Sequence, residues 1–420
     1  MKKIKLAHCL KALEIGGIEK YIKTLVDNID KDKYEILLYC NYNKRTQPFV
    51  QEIIGKGVRV VFLSEATCFQ DSGNVKVMSN GRNKITMLLR HIYHFMIPER
   101  FRKILYVLPL IFQDVPRLYK EFRNETIDVI HFNAGHRLWL VAEMIAARLA
   151  RIPRRILTVH NCNIYPNRGF EQFIHRLLER LALLCVDKVI AVSEDAKDIF
   201  VSQLQIKPSK VVAVYNGVDL KEIDRQVASV NIPKLREQFL VEDDFFVIGM
   251  FARLSYVKGH KFLIEAIKTI KEENPSINIV VFIAGDGPIK EDLINFSVQE
   301  GVSSCFKFLG HIANVHQVIP LCNIVVLPAL CGEGFGYTLA EAMACYKPVI
   351  GTSIGGITNV IDKSTGILVP PGDSLALADA ILKLMRDREE GKRMGLAGRK
   401  KVEALFRQDE MIRKTVNLYS

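Results

Sequence analysis

The stretch Ile324-Val-Val-Leu-Pro328-Ala-Leu-Cys331-Gly-Glu333-Gly-Phe-Gly-Tyr337-Thr-Leu-Ala-Glu341-Ala-Met-Ala344 contains three successive local signals. A short β-branched run comes first, then a loop loosened by Gly332, Gly334 and Gly336, then an Ala/Leu/Met-rich segment of helical character. A continuous apolar run followed by a turn and a helix marks a parallel strand buried on both faces. The same alternation recurs along the chain. In the first half the runs are Ile4–Leu10, Glu35–Cys40, Arg59–Leu63, Asp128–Asn133, Arg155–His160, Lys188–Ser193 and Val211–Tyr215. In the second half they are Phe245–Phe251, Asn278–Ala284, Phe306–Leu309, Ile324–Pro328, Pro348–Gly351 and Gly366–Val369. The pattern predicts an α/β protein of two doubly wound parallel-sheet domains. The polar segment Asp219–Asp244 reads as the linker between them.

Length and composition agree. At 420 residues, 49% of them apolar and 25% charged, the chain can bury two cores. Its nine cysteines form no CxxC pair and no Cys/His cluster, the pattern of buried thiols in a reducing compartment. The opening Met1–Leu10 has too short an apolar run for a signal peptide, and no run of 18 apolar residues exists, so a cytoplasmic protein is expected. The net charge of +12 is lopsided: residues 1–218 hold 34 Lys+Arg against 21 Asp+Glu, and residues 219–420 hold 24 against 25. A basic half attracts phosphate-rich partners.

Ligands of open α/β sheets bind at the carboxyl ends of strands, which singles out four loops. In the quoted stretch, Gly332, Gly334 and Gly336 let the backbone approach a ligand. The helix starting near Tyr337, with Thr338 and Leu339, offers N–H groups and a positive dipole end to a diphosphate. Glu333 can accept from sugar hydroxyls and Glu341 from a ribose. Thr338-Leu-Ala-Glu341 also fits a capping box that needs no ligand. After Phe251, Arg253 and Lys258-Gly259 place two cations beside a helix start, as suits a diphosphate leaving group, although an isolated Arg/Lys pair is more commonly two solvated loop cations. Gly16-Gly17-Ile-Glu19 follows the first strand and permits close approach to a phosphate or sugar, or merely a turn; it is not the GxGxxG dinucleotide fingerprint. His160, ending Thr158-Val-His160-Asn161, can face a ligand or be structural. Ala284-Gly-Asp286-Gly-Pro288 can line a nucleotide site or turn the chain. Asp30-Lys-Asp32 reads as a turn rather than a metal-diphosphate carboxylate pair.

Taken together, Glu333 and Glu341, Arg253 with Lys258-Gly259, Gly16-Gly17-Ile-Glu19, and Tyr215-Asn-Gly-Val-Asp219 resemble the family-4 retaining glycosyltransferases of GT-B fold (glycosyl transferases group 1). The likeness spans nearly the whole chain and is most specific from Leu327 to Val369. It implies two facing Rossmann-like domains with an interdomain cleft: residues 1–218 for the acceptor, 219–407 for the nucleotide sugar, and 408–420 as a helix returning to the first domain. It implies that Arg253 and Lys258 hold the donor diphosphate. Glu333 would hold the transferred sugar, Glu341 the ribose, and Gly334, Phe335, Gly336, Tyr337, Thr338 and Leu339 would line the donor. His160 and Gly17 would lie beside the reacting sugar, with Ser193 and Asn216 near the cleft. The catalytic set is then Glu333, His160, Arg253 and Lys258, with no metal and no cofactor beyond the nucleotide-sugar donor, a UDP-sugar first. Two departures stand out. Gly355-Gly356-Ile357-Thr358-Asn359 replaces a usual Gly-Gly-x-Pro-Glu, and Tyr346 replaces a usual glycine.

The expected activity is retaining hexosyl or N-acetylhexosaminyl transfer to a lipid-linked saccharide, such as a polyprenyl diphosphate sugar, in polysaccharide biosynthesis. Residues 82–123, with nine Lys/Arg among apolar residues, and residues 148–188, with eight, suit an anionic membrane surface, or else an apolar side that is domain core and charges that are simply solvated. Pro98, Pro109 and Pro116 are expected to break any long helix there. An epimerase or phosphorylase of the same fold remains an alternative. Nucleic-acid binding is a remote one, since no helix-turn-helix, stacking motif or zinc finger is present.

Overall fold

The computed structural model describes residues 2–11, 17–41, 46–63, 75–77, 107–135, 139–161 and 170–420. The chain divides into two compact units, the first of residues 1–214 with 412–420, the second of residues 215–411.

Unit 1 alternates β1 (Ile4–Leu10), α1 (Gly17–Asn28), β2 (Tyr34–Cys40), α2 (Gln47–Gly55), β3 (Arg59–Phe62), β4 (Val75–Val77), α3 (Val107–Glu125) and β5 (Val129–Ala134). It continues with α4 (Val141–Leu149), β6 (Arg154–Val159), α5 (Phe170–Leu183), β7 (Lys188–Ala191), α6 (Glu194–Leu204) and β8 (Val211–Ala213). The strands form one parallel sheet in the order β4-β3-β2-β1-β5-β6-β7-β8. Strand β4 escapes a sequence reading because Val75-Lys-Val77 is too short to show a pattern and pairs only at the sheet edge. The strands with helices on both faces bury a core that includes Phe132, Leu157, Tyr39, Phe122 and Phe200.

Prolines do not break α3 as expected. The helix runs 19 residues straight through Pro116. Pro109 sits in the first turn, where its missing N–H costs nothing. Pro116 forfeits one helical bond, a loss offset by packing, because Val115, Leu118 and Phe122 are buried and α3 lies along α4. Pro98 and residues 82–106 of the basic stretch lie outside the described residues.

Unit 2 begins with α7 (Leu220–Ala228) and α8 (Ile232–Gln238), so the expected linker Asp219–Asp244 is folded structure. Its polar residues mark helix starts, not disorder: Asp219 caps α7 by accepting from Glu222 N–H at 3.0 Å, and Asn231 caps α8 by accepting from Lys234 N–H at 3.1 Å. Ile223 is buried, and Asp224 pairs with Arg399 at 2.5 Å.

The unit continues with β9 (Phe246–Phe251), α9 (His260–Glu273), β10 (Ile279–Ala284), α10 (Lys290–Gln299), β11 (Phe306–Gly310), β12 (Ile324–Leu327) and α11 (Tyr337–Ala344). It ends with β13 (Val349–Thr352), α12 (Ile357–Val360), β14 (Gly366–Val369), α13 (Ser374–Arg386), α14 (Arg388–Leu405) and α15 (Gln408–Val416), whose last turns belong to unit 1. Its sheet is parallel, in the order β11-β10-β9-β12-β13-β14. The crossing points lie at 214/215 and 411/412 because a parallel bridge between Val218 and Arg407 ties both strands of the crossing into unit 2. Among the described residues no helix is long and apolar enough to cross a membrane.

Candidate functional site

In each sheet the strand order reverses once, between β1 and β5 in unit 1 and between β9 and β12 in unit 2. Loops leaving two such strands diverge to opposite faces and open a crevice at their carboxyl ends. In unit 2 those two loops are residues 252–259, carrying Arg253 and Lys258, and residues 328–336, carrying Glu333.

Glycines weld the loops together. Gly259 has φ +77°, and a Cβ there would lie 1.8 Å from the Pro328 carbonyl oxygen, so the two loops touch backbone to backbone. Gly285 and Gly287 of the next loop approach Ala252 O and Leu254 O so closely that a Cβ would fall 2.1 Å from each. Gly356 meets Gly334 O the same way, at 1.9 Å, and its N–H donates to Glu333 O at 3.0 Å. Four strand-end loops thus form one surface.

On that surface Lys258 Nζ donates to Glu333 Oε2 at 2.5 Å, and Gly336 N–H donates to Glu333 Oε1 at 3.0 Å. Both side chains are largely covered yet reach solvent, at 27% and 14% exposure. Gly336, at φ +88°, precedes the first residue of α11, so the carboxylate sits over the helix start. Arg253 is exposed in the same loop as Lys258, with its carbonyl accepting from Ser255 N–H. Thr338 is not the cap of a capping box: it lies inside α11 and its hydroxyl donates to Phe251 O at 2.6 Å, tying the helix to β9. Tyr337 is half-buried, while Phe335 and Leu339 are core side chains, Phe335 packing on Phe406, so a ligand can meet those two only through their backbone. Glu341 is buried one turn further on, with its Oε1 3.3 Å from His316 Nε2.

Tyr346 takes φ +61°, the left-handed region where glycine costs least, and its ring lies under the Arg399 guanidinium at 5.1 Å. Asn359 closes the short α12 by donating its N–H to Gly356 O.

In unit 1, Gly17 is the first residue of α1 and exposed, while Gly16 lies outside the described residues. His160 follows β6 and is buried edge-on to Tyr21, ring centroids 4.9 Å apart. Burial pushes its imidazole down to about 3, so it works as a neutral ring at any physiological pH. Ser193 caps α6 from a fully buried position, and Asn216 belongs to unit 2. Asp30 makes the turn itself, accepting from the N–H groups of Asp32 and Lys33.

Sequence reading missed the surroundings of His160. His131 contacts Thr158 Oγ1 at 2.7 Å and Tyr419 Oη at 2.8 Å, and Tyr21 Oη reaches Thr415 Oγ1 at 3.2 Å, so residues 412–420 complete this polar core. A lone His inside a strand carries no signal of such partners. Burial pushes His8 down to about 4 and His131 well below its ordinary range, helped there by the neighbouring His8 and His160. A depressed histidine pKa means that the unfolded chain binds the proton the folded chain refuses. The contribution is therefore complete above about pH 6.5 and is lost as pH falls, at up to about 1.4 kcal/mol per pH unit for each histidine. Urea unfolding followed by the single tryptophan, Trp139 in unit 1, is expected to show a falling midpoint from pH 7 to 5.5. An unchanged midpoint would contradict the buried cluster.

The family described as Glycosyltransferase Family 4 matches residues 15–222, and that described as Glycosyl transferases group 1 matches residues 231–401. The O-antigen chain mannosyltransferase C of Escherichia coli is 31% identical, over 64% of this chain and 70% of its own. The UDP-Gal:alpha-D-GlcNAc-diphosphoundecaprenol alpha-1,3-galactosyltransferase of Escherichia coli is 26% identical over 70% of this chain and 75% of its own. Among solved structures, Anabaena HepE in complex with UDP and glucose superposes with a TM-score of 0.74, at 22% identity, over 99% of this chain and 98% of that one.

Proposed function

Because the chain belongs to the family-4, group 1 glycosyltransferases, we propose that it transfers a hexose or N-acetylhexosamine, with retention, from a UDP-sugar to a lipid-linked saccharide in cell-surface polysaccharide assembly. The observation that carries the proposal is Lys258 held against Glu333 over the start of α11, at the reversal point of the sheet. A diphosphate laid there meets a fixed cation and the first-turn N–H groups of a helix. Lys258 also offsets the Glu333 charge, which alone would repel that diphosphate.

In this reading the bond between the anomeric carbon and the donor phosphate breaks, and Arg253, Lys258 and the first turn of α11 take up the charge gained by the phosphate. The acceptor hydroxyl bonds to the anomeric carbon on the same face and gives its proton to a departing phosphate oxygen. Glu333 accepts from hydroxyls of the transferred sugar. His160, as a neutral imidazole, and Gly17 orient the reacting groups. Fixed cations supply the countercharge, so transfer is expected to persist in EDTA. The UDP in the HepE complex and the diphosphoundecaprenol in the galactosyltransferase's name favour this donor and this acceptor class.

Labelled UDP-galactose, UDP-glucose and UDP-N-acetylglucosamine, each incubated with polyprenyl-diphosphate saccharides, test the proposal. Label is expected in the lipid phase, with the new linkage in the donor's configuration. Epimerised free donor in place of a lipid product would overturn it. A membrane-bound acceptor also implies surface contact. Phe173, Leu177, Leu181 and Leu184 recur at helical spacing along α5 and its end, and all four are exposed. Flotation is expected to recover the protein with anionic vesicles and not with neutral ones; equal, negligible recovery with both would remove the membrane surface.

A further inference from the structure

We infer that His316 is a positioning residue that fixes Glu341, the carboxylate read above as the acceptor for the donor's ribose hydroxyls; the inference rests on that reading. A line of hydrogen bonds runs from α7 to the turn that carries His316. Arg225 donates twice to Glu222, at 2.8 and 2.6 Å, and these bonds hold the Glu222 carboxyl down at about 2, so Glu222 only accepts. Gln226 Nε2 donates to Glu222 Oε1 at 2.6 Å. That spends the amide nitrogen and turns the amide oxygen of Gln226 toward His316 Nδ1, 3.1 Å away. An amide oxygen can only accept, so Nδ1 carries a proton.

The other ring nitrogen, Nε2, is buried and lies at ion-pair distance, 3.3 Å, from Glu341 Oε1, and no other polar group among the described residues takes it up. When Nε2 also carries a proton, the two groups face each other as donor and acceptor, and a buried carboxylate is tolerated where such a partner faces it. Glu341 is on α11 and His316 on the turn Val315–Gln317, so the contact also ties the helix whose start faces the diphosphate to α7 through Gln226. His316 thereby holds one oxygen of Glu341 in place and leaves the orientation of the carboxylate independent of the ligand.

A residue acting this way changes recognition of ribose and leaves the leaving-group chemistry alone. Binding of UDP and of 2′,3′-dideoxy-UDP, or of the GDP pair where GDP binds more tightly, reads it by calorimetry without acceptor. Wild-type protein is expected to prefer the ribonucleotide by about tenfold or more, the worth of a hydrogen bond to a charged group. His316→Ala is expected to lose most of that preference by weakening the ribonucleotide alone. His316→Gln, whose amide N–H can still reach Glu341, is expected to restore it. In turnover assays His316→Ala should raise KM for the donor with kcat within about threefold of wild type. A His316→Ala protein that keeps the wild-type ribose preference, or a glutamine variant no better than alanine, overturns the role of His316 alone. No ribose preference in the wild-type protein overturns it together with the reading of Glu341, whereas diphosphate binding would still stand.

Discussion

Alanine at Lys258 is expected to reduce sugar transfer by about a hundredfold or more, roughly 2.7 kcal/mol of barrier, the usual loss when one fixed donor to a developing oxyanion is removed. In the proposed mechanism the ammonium faces the phosphate oxygen whose negative charge grows as the bond breaks, so the loss should fall on kcat more than on KM. Folding should be nearly unaffected. Glu333 keeps the Gly336 N–H after the lysine is cut back, and both groups reach solvent. Steady-state kinetics with donor and acceptor supplied, alongside a melting curve, separates these outcomes. Turnover close to that of the unaltered enzyme would sink the proposed leaving-group site, and a collapsed melting curve would assign Lys258 to stability instead.

The second large effect is expected from a residue with no chemistry at all. Gly259→Ala introduces a Cβ where the Pro328 carbonyl oxygen stands 1.8 Å away, at a backbone φ of +77° that costs an alanine strain even in open space. Backbone has to move, and it is the backbone joining Lys258 to the helix α9. Destabilisation of about 3 kcal/mol is expected, within the range for a clash plus left-handed strain. Transfer should also fall about as far as in Lys258→Ala, because the ammonium is displaced from Glu333. Denaturant unfolding and kinetics on the same preparation check both. A protein of unaltered stability would show that the two loops are not in contact. Gly57→Ala makes the matching control: it has a similar φ of +80° with nothing within 4 Å, so only the strain should appear.

How far the site could be read in advance depended on the kind of signal. Strand ends were legible from the apolar runs, and all thirteen expected strands are present to within two residues at either end. The Gly-rich loop, Arg253, Lys258 and Glu333 could be placed at strand ends from the sequence, but a loop Arg/Lys pair is more commonly solvated, and only the fold brings Lys258 against Glu333. The capping-box alternative for Thr338 could not be excluded from spacing, since a helix start one or two residues earlier leaves the same letters. It fell once Gly336 proved to precede the helix and the Thr338 hydroxyl proved to bond Phe251. The segment Asp219–Asp244 looked like a linker because two capping residues and a proline imitate a polar loop, and only packing of Ile223 and Asp224 on the rest of unit 2 showed otherwise.

The amino-acid order by itself determined the fold class, the succession of elements and the strand ends at which glycines and charged residues collect, because periodicity and glycine placement act over a few residues. Tertiary structure alone decided which of those ends meet: Lys258 with Glu333 across 75 positions, His316 with Gln226 across 90, His131 with Tyr419 across 288. Parallel strands are joined by long crossovers, so neighbours in the sheet are distant in the chain, and no local pattern records the partner that a buried polar group finds on the next strand.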